Sequence, residues 1–168
     1  QRAIEINPGF ALAHNNLGNA LRSAGDSDAA AASFLYAIRI SPNYALAYFN
    51  LGELLHAGGS LDKAIAAIRH AILLDPGLAA AHSSLATLLM EKGDVDESRI
   101  LFKQAIKLDP NDAVAKHMLA AQEGQTTRSA PPGYVAGLFD GCAEYFDRQL
   151  VDRLGYRAPQ DLYDAVAE

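Results

Sequence analysis

The chain has 168 residues, half of them hydrophobic, with a formal net charge of −6 and a single cysteine, Cys142. The acidic balance leaves no polyanion-binding footprint, which argues against DNA or RNA as a direct partner. A lone cysteine excludes an internal disulfide and fits a reducing compartment, while no apolar run approaches the roughly 20 residues that cross a bilayer and no secretory signal is visible.

Taken in chain order, the first element is the segment AIEINP at 3–8, which reads as the tail of a helix entering a turn. It returns as AIRISP at 37–42, AILLDP at 71–76 and AIKLDP at 105–110, always 34 residues on. A second register, AHNNLGNAL, AYFNLGELL and AHSSLATLL, keeps the same period, and so does a third, Gly25, Gly59 and Gly93. Each period predicts two helices. The first carries Leu17, Gly18 and Leu21 on one face, and the second carries Ala30, Phe34 and Ala37. Small residues at Gly18, Gly52, Ala30, Ala64, Ala37 and Ala71 predict close helix approach. Gly25, Gly59 and Gly93 end the first helices, where a left-handed residue is cheapest. Asp26 or Ser27, Ser60 and Asp94 start the second ones, Asp94 with Glu97 in capping-box spacing. Pro42, Pro76 and Pro110 stop them. One such pair cannot bury its apolar face alone, so neighbours must stack.

These registers resemble the tetratricopeptide repeat (TPR) family. The first full repeat supplies His14, Leu17, Gly18, Leu21, Gly25, Ala30, Phe34, Ala37 and Pro42. The second supplies Tyr48, Leu51, Gly52, Leu55, Gly59, Ala64, Ile68, Ala71 and Pro76. The third supplies His82, Leu85, Ala86, Leu89, Gly93, Ser98, Phe102, Ala105 and Pro110. Histidine stands in the first aromatic slot twice, Ala86 replaces a glycine and Ser98 an alanine. The resemblance implies an all-α fold, a right-handed solenoid of stacked helix-turn-helix repeats followed by a short helical tail. Its expected parts are a part repeat at 1–10, repeats at 11–44, 45–78 and 79–112, and a capping helix at 113–121. A linker at 122–133 and a helical tail at 134–168 follow. The opening part repeat implies that at least one more repeat precedes residue 1 in a parent protein.

The resemblance also places function on a groove lined by the first helix of each repeat, with no chemistry of its own: no catalytic residue and no metal site are expected. The groove candidates are Leu12, Asn15, Asn16, Asn19, Phe49, Asn50, Glu53, Ser83, Ser84 and Thr87. Asn16 and Asn50 lie one repeat apart and Ser84 continues the row. An amide both donates and accepts, so such a row can pair with any peptide backbone. It is similar to the asparagine ladder of O-linked N-acetylglucosamine transferases. The competing reading is a set of solvated polar positions. A clamp for a C-terminal carboxylate needs lysine and arginine at these positions, and only Arg22 is basic, which argues against it. His14 and His82, in the aromatic slot, read as packing residues.

Beyond 134 the chain is aromatic-rich, and Val135, Leu138, Phe139, Cys142, Phe146 and Leu150 recur at helical steps. Leu138, Phe139, Asp140, Ala143, Phe146 and Asp147 resemble the segment that leads into the S-adenosylmethionine-dependent methyltransferase domain of bacterial TPR-methyltransferases. That resemblance implies a truncated catalytic domain. The glycine-rich turn needed for cofactor approach is missing, so no enzyme activity is expected of this chain and no cofactor within it. S-adenosylmethionine belongs to the full-length protein, with Tyr145, Phe146 and Asp147 the nearest candidates here, against a reading of ordinary helix packing. Three roles stand. The first is a recruiting arm that binds a protein or extended peptide in a bacterial cytoplasm, without membrane or nucleic acid. The second is an enzyme fragment whose tail helps bind the cofactor. The third is a structural module for self-association, in which case the oligomeric state decides.

Overall fold

The computed structural model describes residues 10–124. The expectations placed on 1–9 and 125–168 lie outside the described residues, including the part repeat, most of the linker, the tail helices and Tyr145, Phe146 and Asp147. Seven helices follow one another without a strand among the described residues: α1 (Ala11–Ser23), α2 (Ser27–Ile40), α3 (Ala45–Ala57), α4 (Leu61–Leu74), α5 (Ala79–Lys92), α6 (Val95–Leu108) and α7 (Ala113–Gln122).

The punctuation follows the chemistry of the breakers. Gly25, Gly59 and Gly93 sit just past the first helices at φ of +82°, +75° and +97°, with open space around each. Only glycine takes that conformation without strain. The second helices end at Ile40, Leu74 and Leu108. Each of the next residues, Ser41, Asp75 and Asp109, precedes a proline and is extended, as steric conflict with the proline ring requires. Asp75 and Asp109 then accept the backbone N–H two residues on, from Gly77 at 3.0 Å and Asn111 at 2.9 Å, which closes the turn.

Caps are less regular than the sequence suggests. Asp26 accepts from the Ala29 N–H at 3.1 Å and Asp112 from the Ala115 N–H at 2.8 Å. Ser60 and Asp94 hold the expected positions before α4 and α6 but make no side-chain cap. The Asp94–Glu97 box does not form: the Asp94 N–H donates to the Leu89 carbonyl at 2.8 Å, and both Glu97 oxygens accept at 2.8 Å from Arg69 Nη2 on α4.

Packing is pairwise. Each first helix packs most closely on the second helix of its own repeat, and that helix on the next first helix; α1 also touches α3. Close approach is absolute at two glycines. A Cβ on Gly18 would lie 2.5 Å from Phe34, and one on Gly52 would lie 2.5 Å from Ile68. Phe34, Ile68 and Phe102, at equivalent positions, are fully buried, each burial stabilising by about 1.5–3 kcal/mol. The central cluster joins Ala64, Ile65 and Ile68 of α4 to Ala81, Leu85, Leu88 and Leu89 of α5, so the core runs through the repeat boundary.

The aromatic slot behaves as packing. His14 stacks against Tyr36 with ring centroids 4.5 Å apart, and Tyr48 packs on His70 at 4.4 Å. His82 is buried, and its Nε2–H donates to the Pro76 carbonyl at 3.0 Å. Among the described residues no helix is long and apolar enough to cross a membrane, and no three metal-ligating side chains converge.

Candidate functional site

The first helices α1, α3 and α5 carry all ten groove candidates. A helix presents positions three and four apart on one face, and the 34-residue period sets the same positions side by side on successive first helices. The most informative contact joins two of them. Asn50 Nδ2 on α3 donates to Asn15 Oδ1 on α1 at 2.9 Å. Both side chains are buried, Asn15 to 3% and Asn50 to 8% exposure.

The row of amides is therefore offset by one residue from the strict repeat. Asn50 meets Asn15, while Asn16, its counterpart by period, is exposed. The shift follows from stacking: position 15 looks forward toward the next repeat and position 50 looks back. The sequence holds a signal for this, since Asn15 and Asn50 are 35 residues apart and adjacent helices pair residues in slightly displaced register. The pair uses one donor and one acceptor. The remaining Asn15 N–H groups and Asn50 carbonyl oxygen can still serve a ligand backbone.

The other candidates divide by chemistry. Leu12 and its counterpart Leu46 are 44% and 41% exposed at the start of α1 and α3. Phe49 is half-buried and packs against the central core. Asn19 and Glu53 occupy the same position in successive repeats. Asn19 Oδ1 is shielded from solvent and accepts no hydrogen bond. Glu53 is half-buried and forms no ion pair among the described residues. In the third repeat Ser83, Ser84 and Thr87 are half-buried, and Thr87 Oγ1 donates to the Ser83 carbonyl at 3.1 Å. One turn beyond Glu53, His56 Nε2 meets Glu91 at 2.8 Å, tying α3 to α5.

A second concavity lies on α4, closed at one side by Lys92 at the end of α5. It is an open depression of about 510 Å³ lined by Asp62, Ile65, Ala66, Arg69, His70, Leu73 and Lys92. Its charges are committed to one another and to the neighbouring repeat. Lys92 binds Asp62 at 2.7 Å and Arg69 binds Glu97 at 2.8 Å. The first-helix face, by contrast, retains polar atoms without partners.

Comparison with known proteins agrees with the geometry. Two family models, both described as Tetratricopeptide repeat, match this chain, one at residues 1–45 and 16–79 and the other at 59–122. No curated protein matches by sequence. Among solved structures, the first TPR of Spaghetti (RPAP3), bound to the HSP90 peptide SRMEEVD, superposes with a TM-score of 0.65 at 18% identity. That alignment covers 68% of this chain and 90% of the other. A mutant of the Thermobaculum terrenum O-GlcNAc transferase gives 0.62 at 26% identity over 67% of this chain, which spans 22% of that enzyme. MamA gives 0.65 at 21% identity, covering 92% of this chain and 86% of its own.

Proposed function

The chain belongs to the tetratricopeptide repeat family, and from that premise we propose that it is a protein-interaction module holding an extended peptide across its first helices. The observation that carries this reading is the buried Asn15–Asn50 amide pair. Burying two amides is costly unless they are satisfied, and apolar side chains would serve stacking alone at least as well. Amides with spare donors and acceptors on a ligand-facing wall serve a peptide backbone whatever its side chains. The Spaghetti module shares the fold and is bound to a peptide, so a groove of this architecture can hold one. The identity of that peptide does not transfer, because the basic residues that a terminal carboxylate requires are missing from the positions of α1, α3 and α5 named above.

In the parent protein the module acts as the recruiting arm of an S-adenosylmethionine-dependent methyltransferase of a bacterial cytoplasm. This part of the proposal is supported by Leu138, Phe139, Asp140, Ala143, Phe146 and Asp147 alone, and its test is S-adenosylmethionine binding by the full-length parent by calorimetry. No heat of binding there would remove it and leave the module intact.

The groove is tested by side-chain amide NMR during titration with peptides selected from a random 12-residue library. The expected result is perturbation of the Asn15, Asn19 and Asn50 Nδ2 signals together. Perturbation confined to the second helices, around Leu35, Leu73 and Ile100, would refute the groove.

A further inference from the structure

The groove reading leaves the kind of peptide open, and the unmatched polar atoms narrow it. Most polar groups along the first helices are engaged: Asn50 Nδ2 with Asn15, Thr87 with the Ser83 carbonyl, His56 with Glu91. Among the groups that are not, two acceptors hold one position in successive repeats. Asn19 Oδ1 is shielded and accepts nothing, and the half-buried Glu53 carboxylate has no cation among the described residues. They stand on helices that touch. At this position the unmet demand is for a donor, and the Glu53 carboxylate favours one that carries positive charge. Arg22, one turn past Asn19, does not meet it: it is exposed in the last turn of α1, where the helix carbonyl ends favour a cation.

Toward the start of α3 the same stripe is apolar. Leu46 lies seven residues before Glu53 on α3, two helical turns and about 10 Å along the axis. With Leu12 it makes an exposed aliphatic ledge, and the half-buried Phe49 lies three residues on along α3. A peptide crossing the first helices at the asparagine pair, between Leu46 and Glu53, sends successive side chains alternately toward the two ends of α3.

We propose that the groove selects extended peptides in which a lysine or arginine stands next to an aliphatic residue. The cation donates to Glu53, and the aliphatic side chain lies on Leu46. The proposal rests on the groove reading, and the experiment separates the two.

The probe is a displayed library of random 12-residue peptides, selected on the 168-residue chain, with selected peptides resynthesised and titrated against variants checked for native helicity. The expected result is enrichment of Lys or Arg adjacent to Leu, Ile, Val or Met. Glu53→Gln should weaken these peptides by about tenfold or more, the loss of one charge-assisted contact, and Glu53→Lys should turn selection toward acidic peptides. Peptides without basic enrichment, lost in Asn15→Leu/Asn50→Leu but unchanged in Glu53→Gln, would overturn this proposal and leave the groove standing. No selected peptide, or peptides that bind the double leucine variant equally well, would overturn both.

Discussion

Cutting the Asn15–Asn50 pair one side at a time tests whether it is a structural bolt between repeats. Asn50→Ala removes the donor and leaves Asn15 Oδ1 in a site that is 3% exposed. An orphaned buried acceptor costs about 1–3 kcal/mol. Asn15→Ala orphans Asn50 Nδ2 by the same logic and at similar cost. With urea slopes of about 1–3 kcal/mol/M, each single variant should lower the unfolding midpoint by about 1 M. In a chain of this length a 2 kcal/mol loss lowers Tm by about 4–8 °C. The double alanine variant orphans nothing, so its loss should fall short of the sum by about 1–2 kcal/mol. Asn15→Leu/Asn50→Leu should come close to wild-type stability, because an apolar pair of similar size needs no partner. The assay is urea denaturation followed by helical circular dichroism. Strict additivity of the two alanine variants would refute the reasoning, for it would mean that neither amide depends on the other.

Four further outcomes follow from the geometry. Gly52→Ala should destabilise the chain in urea denaturation, because overpacking Ile68 and the Ala64 carbonyl costs about 1–3 kcal/mol and outweighs a helix-propensity gain of about 1 kcal/mol; combining it with Ile68→Ala should cost less than the two separate losses. Gly25→Ala meets no atom within 4 Å, yet should lose about 1–2 kcal/mol by the same assay through its φ of +82° alone. The hydrogen bond and then the charge of Asp62 hold the Lys92 ammonium above the usual lysine range. Its contribution is complete below the unfolded value and is lost as pH rises through the folded one, so wild type should lose more Tm than Asp62→Asn above about pH 10.5. Burial pushes the Tyr44 phenol up, and its hydroxyl has no partner; Tyr44→Phe should hold or raise Tm at neutral pH and reduce the loss on titration above pH 10.0.

The fold was legible because its determinants are local and repeated. Three glycines, three prolines and the small residues at helix crossings each carry one steric instruction, and a 34-residue period states each instruction three times. The third-repeat departures cause no break: Ala86 and Ser98 are fully buried, Ser98 four residues before the buried Phe102 on α6. The ends of helices were less legible where side chains had a choice. Glu97 could cap its own helix or reach Arg69 on α4, and local spacing reveals only the first option. A partner contributed by another repeat is invisible to a pattern read along one helix.

The groove shows the same limit in a form that bears on function. Period alone pairs Asn16 with Asn50, since both hold one repeat position; stacking pairs Asn50 with Asn15, since a superhelix offsets neighbouring first helices. The consequence is that one amide pair serves two tasks. One donor and one acceptor bolt repeat one to repeat two, and in the proposed function the remaining groups serve the peptide. A peptide that used Asn50 would therefore also tighten the boundary between repeats, because a ligand that binds the paired state better than the opened one stabilises the paired state. Binding and repeat stacking become linked quantities: ligand should raise hydrogen-exchange protection across α1 and α3 more than across α6 and α7. Uniform protection along all seven helices would mean that the groove contacts and the bolt are energetically separate.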